Sequence, residues 1–403
     1  MSNIRLHLCG IGPDGKLWHT SRLSNDSDPR ILWSPWQEVK APGAMPIGPF
    51  VSVACGVREV EDTEELHVCG VTQDGGLWYT NRVPPQDWRP FENLTTIIAG
   101  DWDTLHVQDV TFGHTFLDVC FLVLTHSSER RIMHTRRHVD GTWERLQDVN
   151  DQEQAGFPGS FISASCTNLA PQPSLEELHV CGITEDGRLW HTLRSFLLDS
   201  FSWLPFADVQ ALSANGPDHF TKVSIAQGAP DSQGGQDLHV LTQATGELWH
   251  TSRRSNPPGW QSTFDRLKEQ AGDPGAFGAI SCATVAGDLH VCGVTTDGKL
   301  WYTLRPDADA ARWQPFQQVT AAGGSTPGAF GFVSLAVMFV PPGRGGIDTI
   351  CSQIKVEIGN RRQQIRMLQQ KNPNDPRIAA CQKVINQRQG QCQQQGCRSD
   401  FCL

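Results

Sequence analysis

Short stretches of alternating apolar and polar residues, closed off by glycine and proline, recur along most of this chain. The clearest is Leu289-His290-Val291-Cys292-Gly293-Val294-Thr295, followed by Asp297-Gly298 and Leu300-Trp301-Tyr302-Thr303-Leu304-Arg305. Alternation with period two and a bounding turn predicts two antiparallel strands. Asp-Gly is a strong hairpin signal because both residues tolerate positive φ, which predicts a two-residue primed turn. Copies of the hairpin place the aromatic of the second strand at Trp18, Trp78, Trp190, Trp249 and Trp301, with Met133 in the third copy. Successive copies are 60, 55, 57, 59 and 52 residues apart. The third copy lacks both the indole and the Asp-Gly turn.

Each unit predicts two further strands. One carries an aromatic pattern such as Trp33-Ser34-Pro35-Trp36 or Trp313-Gln314-Pro315-Phe316. Its proline suits an outer edge, where a missing N–H costs little. The other is apolar with small residues, as in Phe50-Val51-Ser52-Val53-Ala54 and Phe332-Val333-Ser334-Leu335-Ala336, and suits an innermost position. In unit three, Leu105 to Val110 fills that place. Four strands per unit in six units predict an all-β fold, a six-bladed β-propeller spanning residues 1–345. The chain enters on the second strand of a blade and ends its sixth repeat on an unpartnered innermost strand. Pairing of that last strand with the first blade would close the ring and remove two open sheet ends.

From about residue 346 the texture changes to glutamine-rich sequence with a helical stripe at Ile350, Ile354, Ile358, Ile365 and Leu368, and a second at Ile378, Cys381, Val384 and Ile385. Residues 346–403 are expected to form a C-terminal α-helical hairpin turning near Asn372. Residues 347–403 carry nine Lys or Arg against four Asp or Glu, a net +5, so the preceding part carries −15 of the total −10. The acidic body argues against a nucleic-acid partner. No apolar run approaches the ~20 residues that span a bilayer. The start leads directly into a repeat strand, unlike a secretory signal. Thirteen cysteines are nonetheless many for a reducing compartment. These facts together point to an extracellular protein or one released by a non-standard route, with a cytoplasmic place left open.

Three units carry cysteines on neighbouring strands: Cys55 with Cys69, Cys166 with Cys181, and Cys282 with Cys292. A three-residue turn at Ala286-Gly287-Asp288 would set Cys282 opposite Cys292, so cross-strand disulfides compete with simple apolar packing as the reading. In the tail, a helical hairpin brings Cys351 toward Cys392. The grouping of His67, Cys69 and Cys55 raises zinc, but it recurs too regularly to mark a metal centre, and no metal is expected.

The chemistry-bearing residues are repeated rather than singular. An arginine column is complete at Arg22, Arg82, Arg137, Arg194, Arg253 and Arg305, and the Leu-Trp indoles precede it at Trp18, Trp78, Trp190, Trp249 and Trp301. Indoles stack on apolar sugar faces and guanidinium donors bind hydroxyls. The same residues also suit packing between blades. The only tyrosines, Tyr79 and Tyr302, occupy repeat positions that hold histidine elsewhere, which argues against a singular catalytic tyrosine. No cofactor or nucleophile motif is present.

The repeat Asp-Gly-x-Leu-Trp-His-Thr-x-Arg resembles those of bacterial and fungal β-propeller lectins, including the fucose-binding and tectonin-like groups. The resemblance covers about residues 4 to 340. It implies sugar pockets between adjacent blades, each using an arginine and an indole, and no catalysis. The partners implied are glycans or glycoconjugates bound multivalently, with the tail a candidate for a protein partner or self-association. The alternatives are a protein-interaction scaffold, such as a component of a secreted toxin assembly, and a glycoside hydrolase using the axial channel.

Overall fold

The computed structural model describes residues 5–337 apart from short stretches, the longest being 24–32, 99–105, 196–202, 231–235 and 321–326, together with scattered positions between 362 and 390. The expected helical hairpin and the Cys351–Cys392 pairing lie outside the described residues.

Six antiparallel sheets form a six-bladed β-propeller. The innermost strands of blades two to six are Phe50–Val60, His106–Phe112, Phe161–Gln172, Lys222–Pro230 and Phe277–Val285. Blade one takes its innermost strand from the far end of the propeller sequence: Phe332–Val337 pairs with Arg5–Ile11, with Leu335 opposite Leu8. The ring therefore closes as the phase of the repeats predicts. Except in blade five, where Pro258–Trp260 also pairs with the third strand, the outermost strands are only two residues long, as at Gln37–Glu38 and Gln317–Gln318. They follow the Trp-x-Pro-aromatic segment rather than contain it, because proline offers no N–H to a ladder.

The Asp-Gly turns differ from the expectation. In Thr72–Gly76 the amide of Gly75 donates to the Thr72 carbonyl (2.8 Å) and that of Thr72 to the Gly76 carbonyl (2.9 Å). Gly75 alone has positive φ, +85°. This is a three-residue loop closed by a left-handed glycine, not a two-residue primed turn. The third blade keeps the same bonds without the motif, using Ser128 at φ 62°. The two-residue turn with both residues at positive φ occurs instead at Thr245-Gly246.

Blades pack through six apolar clusters, each drawn largely from two neighbouring sheets. The last aromatic of the Trp-x-Pro motif packs on the phenylalanine that opens an innermost strand: Phe91 on Phe50 at 5.6 Å, Phe206 on Phe161 at 5.4 Å, and Phe316 on Phe277 at 5.5 Å. A Cβ on Gly70 would meet the Phe50 ring at 2.5 Å, so the glycine of Val-Cys-Gly is needed where these rings cross the strand.

A second set of contacts runs around the axis. The Ser334 hydroxyl accepts from the Cys55 amide (3.0 Å), Thr111 from Cys166 (3.4 Å), Ser165 from Ile225 (3.0 Å), Ser224 from Cys282 (3.0 Å) and Ser281 from Leu335 (2.8 Å). At five of the six junctions the innermost strand thus donates an amide to a hydroxyl of the preceding one. At the junction of blades two and three the equivalent position is Ala54, and Ser52 instead donates to Asp109 Oδ1 at 2.6 Å.

The expected cysteine pairs do not form. Val285 lies opposite Asp288, not Leu289, so the hairpin turns through two residues and the register shifts by one. Cys292 then faces Ser281, and Cys282 faces Val291. The same offset sets Cys55 against Val68 with Cys69 against Ala54, and Cys166 against Val180 with Cys181 against Ser165. Since side chains alternate between sheet faces, Cys55 and Cys69, Cys166 and Cys181, and Cys282 and Cys292 point to opposite faces. All six are free, buried thiols.

Candidate binding clefts between blades

Strand alternation decides which repeat residues meet. In blade one, His7 and Cys9 on the second strand share a face with His19 on the third, because Cys9 pairs with His19. Trp18, Thr20 and Arg22 occupy the opposite face. One face looks toward the following blade and the other toward the preceding blade, so each cleft takes its imidazoles from one blade and its arginine from the next.

The imidazole side of each cleft is a hydrogen-bonded pair. His7 Nδ1 lies 3.0 Å from His19 Nε2, His179 Nδ1 2.9 Å from His191 Nε2, and His239 Nδ1 3.3 Å from His250 Nε2. Where tyrosine replaces the second histidine, its hydroxyl lies 2.7 Å from His67 Nδ1 (Tyr79) or from His290 Nδ1 (Tyr302). Every member is buried. Burial holds His67 and His250 down to about 4 and His290 to about 3, so these rings are neutral at pH 7. It also raises the Tyr79 and Tyr302 phenols. The two tyrosines are structural partners of histidine in the repeat.

The third blade differs in kind. Asp118 takes the place of the second-strand histidine and is fully buried. It accepts from His134 Nε2 (2.7 Å), from Arg136 Nε (2.8 Å) and Nη2 (2.9 Å), and from Asn168 Nδ2 of blade four (2.8 Å). Burial alone would raise its carboxyl; Arg136 and His134 outweigh that and hold it well below the usual carboxylate range.

The arginines reach into these pairs from the following blade. Arg22 lies 4.6 Å from the Tyr302 ring centroid and Arg137 5.3 Å from that of Tyr79. Arg305 Nη2 comes within 3.4 Å of His239 Nδ1. Arg82 donates to Gln37 Oε1 at 3.0 Å, and Arg194 to Gln147 Oε1 at 2.8 Å. Arg253 sits close enough to His179 and His191 to depress the basicity of both, behind the larger effect of burial.

The aromatic companion of each arginine is not the Leu-Trp indole. Trp18, Trp78, Trp190, Trp249 and Trp301 sit four residues before the arginines, about 13 Å along the strand, toward the hairpin turn. There they are half-buried against the apolar clusters shared with the preceding blade, Trp18 on that of blades six and one and Trp78 on that of blades one and two. The arginines lie beside the second tryptophan column: Arg82 over Trp88 at 4.8 Å, Arg22 over Trp33 at 5.7 Å, and Arg305 over Trp313 at 5.8 Å. Arg137, Arg194 and Arg253 pair through the backbone with Trp143, Trp203 and Trp260. These indoles also meet the histidine pair of the preceding blade edge-on, Trp260 on His191 at 5.3 Å and Trp203 on His134 at 5.7 Å.

The threonine of Trp-His-Thr holds this second tryptophan in place. Thr80 Oγ1 donates to the Arg89 carbonyl (2.6 Å), Thr135 to Glu144 (2.8 Å) and Thr303 to Gln314 (2.5 Å), each the residue after the indole. The six clefts are not equally open. Arg22 and Arg194 are 7% and 1% exposed, whereas Arg82, Arg137, Arg253 and Arg305 are half-buried.

The axial channel is lined by small residues and hydroxyls of the innermost strands, with Asp109 and Lys222 its charged lining. A hydrolytic pair of carboxylates is not among that lining. Among the described residues, no group of three or more His, Cys, Asp or Glu is arranged to hold a metal ion, and no helix is long and apolar enough to cross a membrane.

Known structures with a similar backbone include the fungal lectin of Aleuria aurantia, described as a six-bladed β-propeller with a novel fucose recognition mode. It is 13% identical, with 80% of this chain and 93% of that chain covered and a TM-score of 0.54. AofleA from Arthrobotrys oligospora is 10% identical, with 84% and 91% covered and a TM-score of 0.51. The BP39L lectin from Burkholderia pseudomallei is 12% identical, with 78% and 81% covered and a TM-score of 0.50. This chain has the fold of the six-bladed propeller lectins. No protein-family model matches it, and no curated protein matches it either. At these identities the likeness is one of backbone, and the clefts must be read from their own residues.

Proposed function

We propose that the propeller binds glycans, without catalysis, in the clefts between neighbouring blades. The observation that carries this reading is the half-buried arginine beside an indole at Arg82, Arg137, Arg253 and Arg305. A guanidinium fixed in this way presents donors to sugar hydroxyls, and an adjoining indole offers an apolar face. Arg22 and Arg194 serve first as ties between blades, and their clefts are the weaker candidates. The Leu-Trp indoles form the turn-side rim of the same clefts.

Several weak sites on one rigid ring gain strength on a dense glycan surface through effective concentration. That use fits an extracellular setting, with residues 346–403 as a separate element for docking or self-association. The similar lectin folds and the repetition of the clefts favour binding over hydrolysis. A glycan array probed with folded, labelled protein tests the reading. Retention on a defined set of glycans, lost on competition with the free sugar, is expected. A folded protein that binds no glycan would remove it in favour of a protein-interaction scaffold.

A further inference from the structure

The propeller contains eight cysteines, all buried and all free. They fall on two repeat positions. The first is on second strands, opposite the third-strand His or Tyr, at Cys9, Cys69, Cys120, Cys181 and Cys292, with Leu241 in blade five. The second is on innermost strands at Cys55, Cys166 and Cys282, with Phe112, Ile225 and Leu335 in the other blades. These positions meet between blades, the first position of one blade packing with the second position of the next. Four of the six meetings join one cysteine to a larger apolar residue: Cys69 with Phe112, Cys181 with Ile225, Leu241 with Cys282, and Cys292 with Leu335.

The other two meetings join cysteine to cysteine. Cys9 and Cys55 share the cluster between blades one and two, and Cys55 adds to the larger effect of burial in pushing the Cys9 thiol up. Cys120 and Cys166 share the cluster between blades three and four, where Cys166 likewise adds to burial in pushing the Cys120 thiol up. We propose that Cys9–Cys55 and Cys120–Cys166 are sites of disulfide formation that staple blade one to two and blade three to four. Neither joins strands of one sheet, and neither depends on the function proposed for the clefts.

The co-reactant is a low-molecular-weight disulfide. One cysteine sulfur attacks a sulfur of that disulfide, forming a mixed disulfide and releasing one thiolate. The second cysteine sulfur attacks the first, closing the intramolecular bond and releasing the second thiolate. The two cysteine protons end on the released thiols, and two electrons pass to the external disulfide. In the closed ring these thiols are buried away from solvent, so exchange follows opening. Cys55 Sγ donates to the Ser334 carbonyl at 3.3 Å, which places the first pair beneath the strand that closes the ring. Cys166 Sγ contacts the Thr111 carbonyl at 3.8 Å, within the body of the propeller.

The test uses the full chain equilibrated with oxidised glutathione in urea below the unfolding transition. Free thiols are then alkylated in strong denaturant, and the unreduced protein is digested and mapped by mass spectrometry. The expected map links the peptide of Cys9 to that of Cys55 and the peptide of Cys120 to that of Cys166. Cys69, Cys181, Cys282 and Cys292 are expected to carry the alkyl group. In Cys9→Ser, Cys55 is expected to join the alkylated set while Cys120–Cys166 persists. Alkylation of Cys9 and Cys120 in the oxidised wild type, or their linkage to other partners, would overturn the proposal. The wild-type map decides the matter even if the variant does not fold.

Discussion

The Ser334 hydroxyl accepts a hydrogen bond from the Cys55 amide at 3.0 Å, between residues 279 positions apart in the chain. Ser334 belongs to the strand that completes blade one, and Cys55 to the innermost strand of blade two. The bond therefore ties the last strand of the ring to the blade after the one it completes. Ser334→Ala leaves the buried Cys55 N–H without this partner, at a cost of about 1–3 kcal/mol. Urea unfolding is expected to show that loss, and hydrogen exchange should quicken first in Phe332–Val337. An unchanged midpoint with unchanged exchange would mean that this contact does not hold the seam.

Asp118 is a fully buried carboxylate bonded to His134, Arg136 and Asn168. Asp118→Ala leaves the Arg136 guanidinium and the His134 ring without their buried counter-charge. Breaking one side of such a buried pair typically costs about 3–5 kcal/mol. Thermal or urea denaturation should show blade three as the weak point, with exchange rising first in Asp118–Leu124 and Arg130–Arg136.

The buried histidines set the acid behaviour. His67 and His250 are held at about 4 in the folded state, against about 6.5 in an unfolded chain. Between those values the unfolded chain binds protons that the folded chain does not. Stability is then full above about pH 6.5 and falls as pH drops toward 4, by up to roughly 1.4 kcal/mol per pH unit for each such histidine. The depressed Asp118 carboxyl adds a further loss as pH falls below about 3.9, its ordinary unfolded value. Urea midpoints measured across this range should decline steadily with acid. A flat profile down to pH 4 would contradict the neutral, buried state of these rings.

Tyr302 and His19 are interchangeable in repeat position, and each bonds the second-strand histidine of its own blade. Tyr302→Phe removes the hydroxyl at His290 Nδ1 and is expected to cost about 1–3 kcal/mol. Tyr302→His restores a histidine pair of the kind at His7 and His19, and should cost less than Tyr302→Phe. Comparison of the two denaturation midpoints checks the assignment, and the reverse order would contradict it.

The number of blades, their innermost strands and the closing strand are legible in the sequence, because hairpin and Trp-x-Pro signals recur at near-regular spacing. The register is not. It turns on whether residues 286 and 287 or 286 to 288 form one turn, and a single residue there moves Cys282 to the other face of its sheet. The partner of the arginine column is hidden for another reason. Trp88 follows Arg82 by 6 residues, whereas Trp33 follows Arg22 by 11, so loops of differing length mask a constant contact. The serine latches lie in stretches that read simply as small residues near an axis. Their signal is the hydroxyl at one fixed strand position, interrupted at Ala54.

Binding stoichiometry by native mass spectrometry, using a sugar selected on the glycan array, tests the central claim most directly. The wild-type protein should bind several copies, and Arg82→Ala, Arg137→Ala, Arg253→Ala and Arg305→Ala should each remove one while the fold persists. A folded wild-type protein that binds none, or a stoichiometry that no arginine substitution changes, would contradict the account.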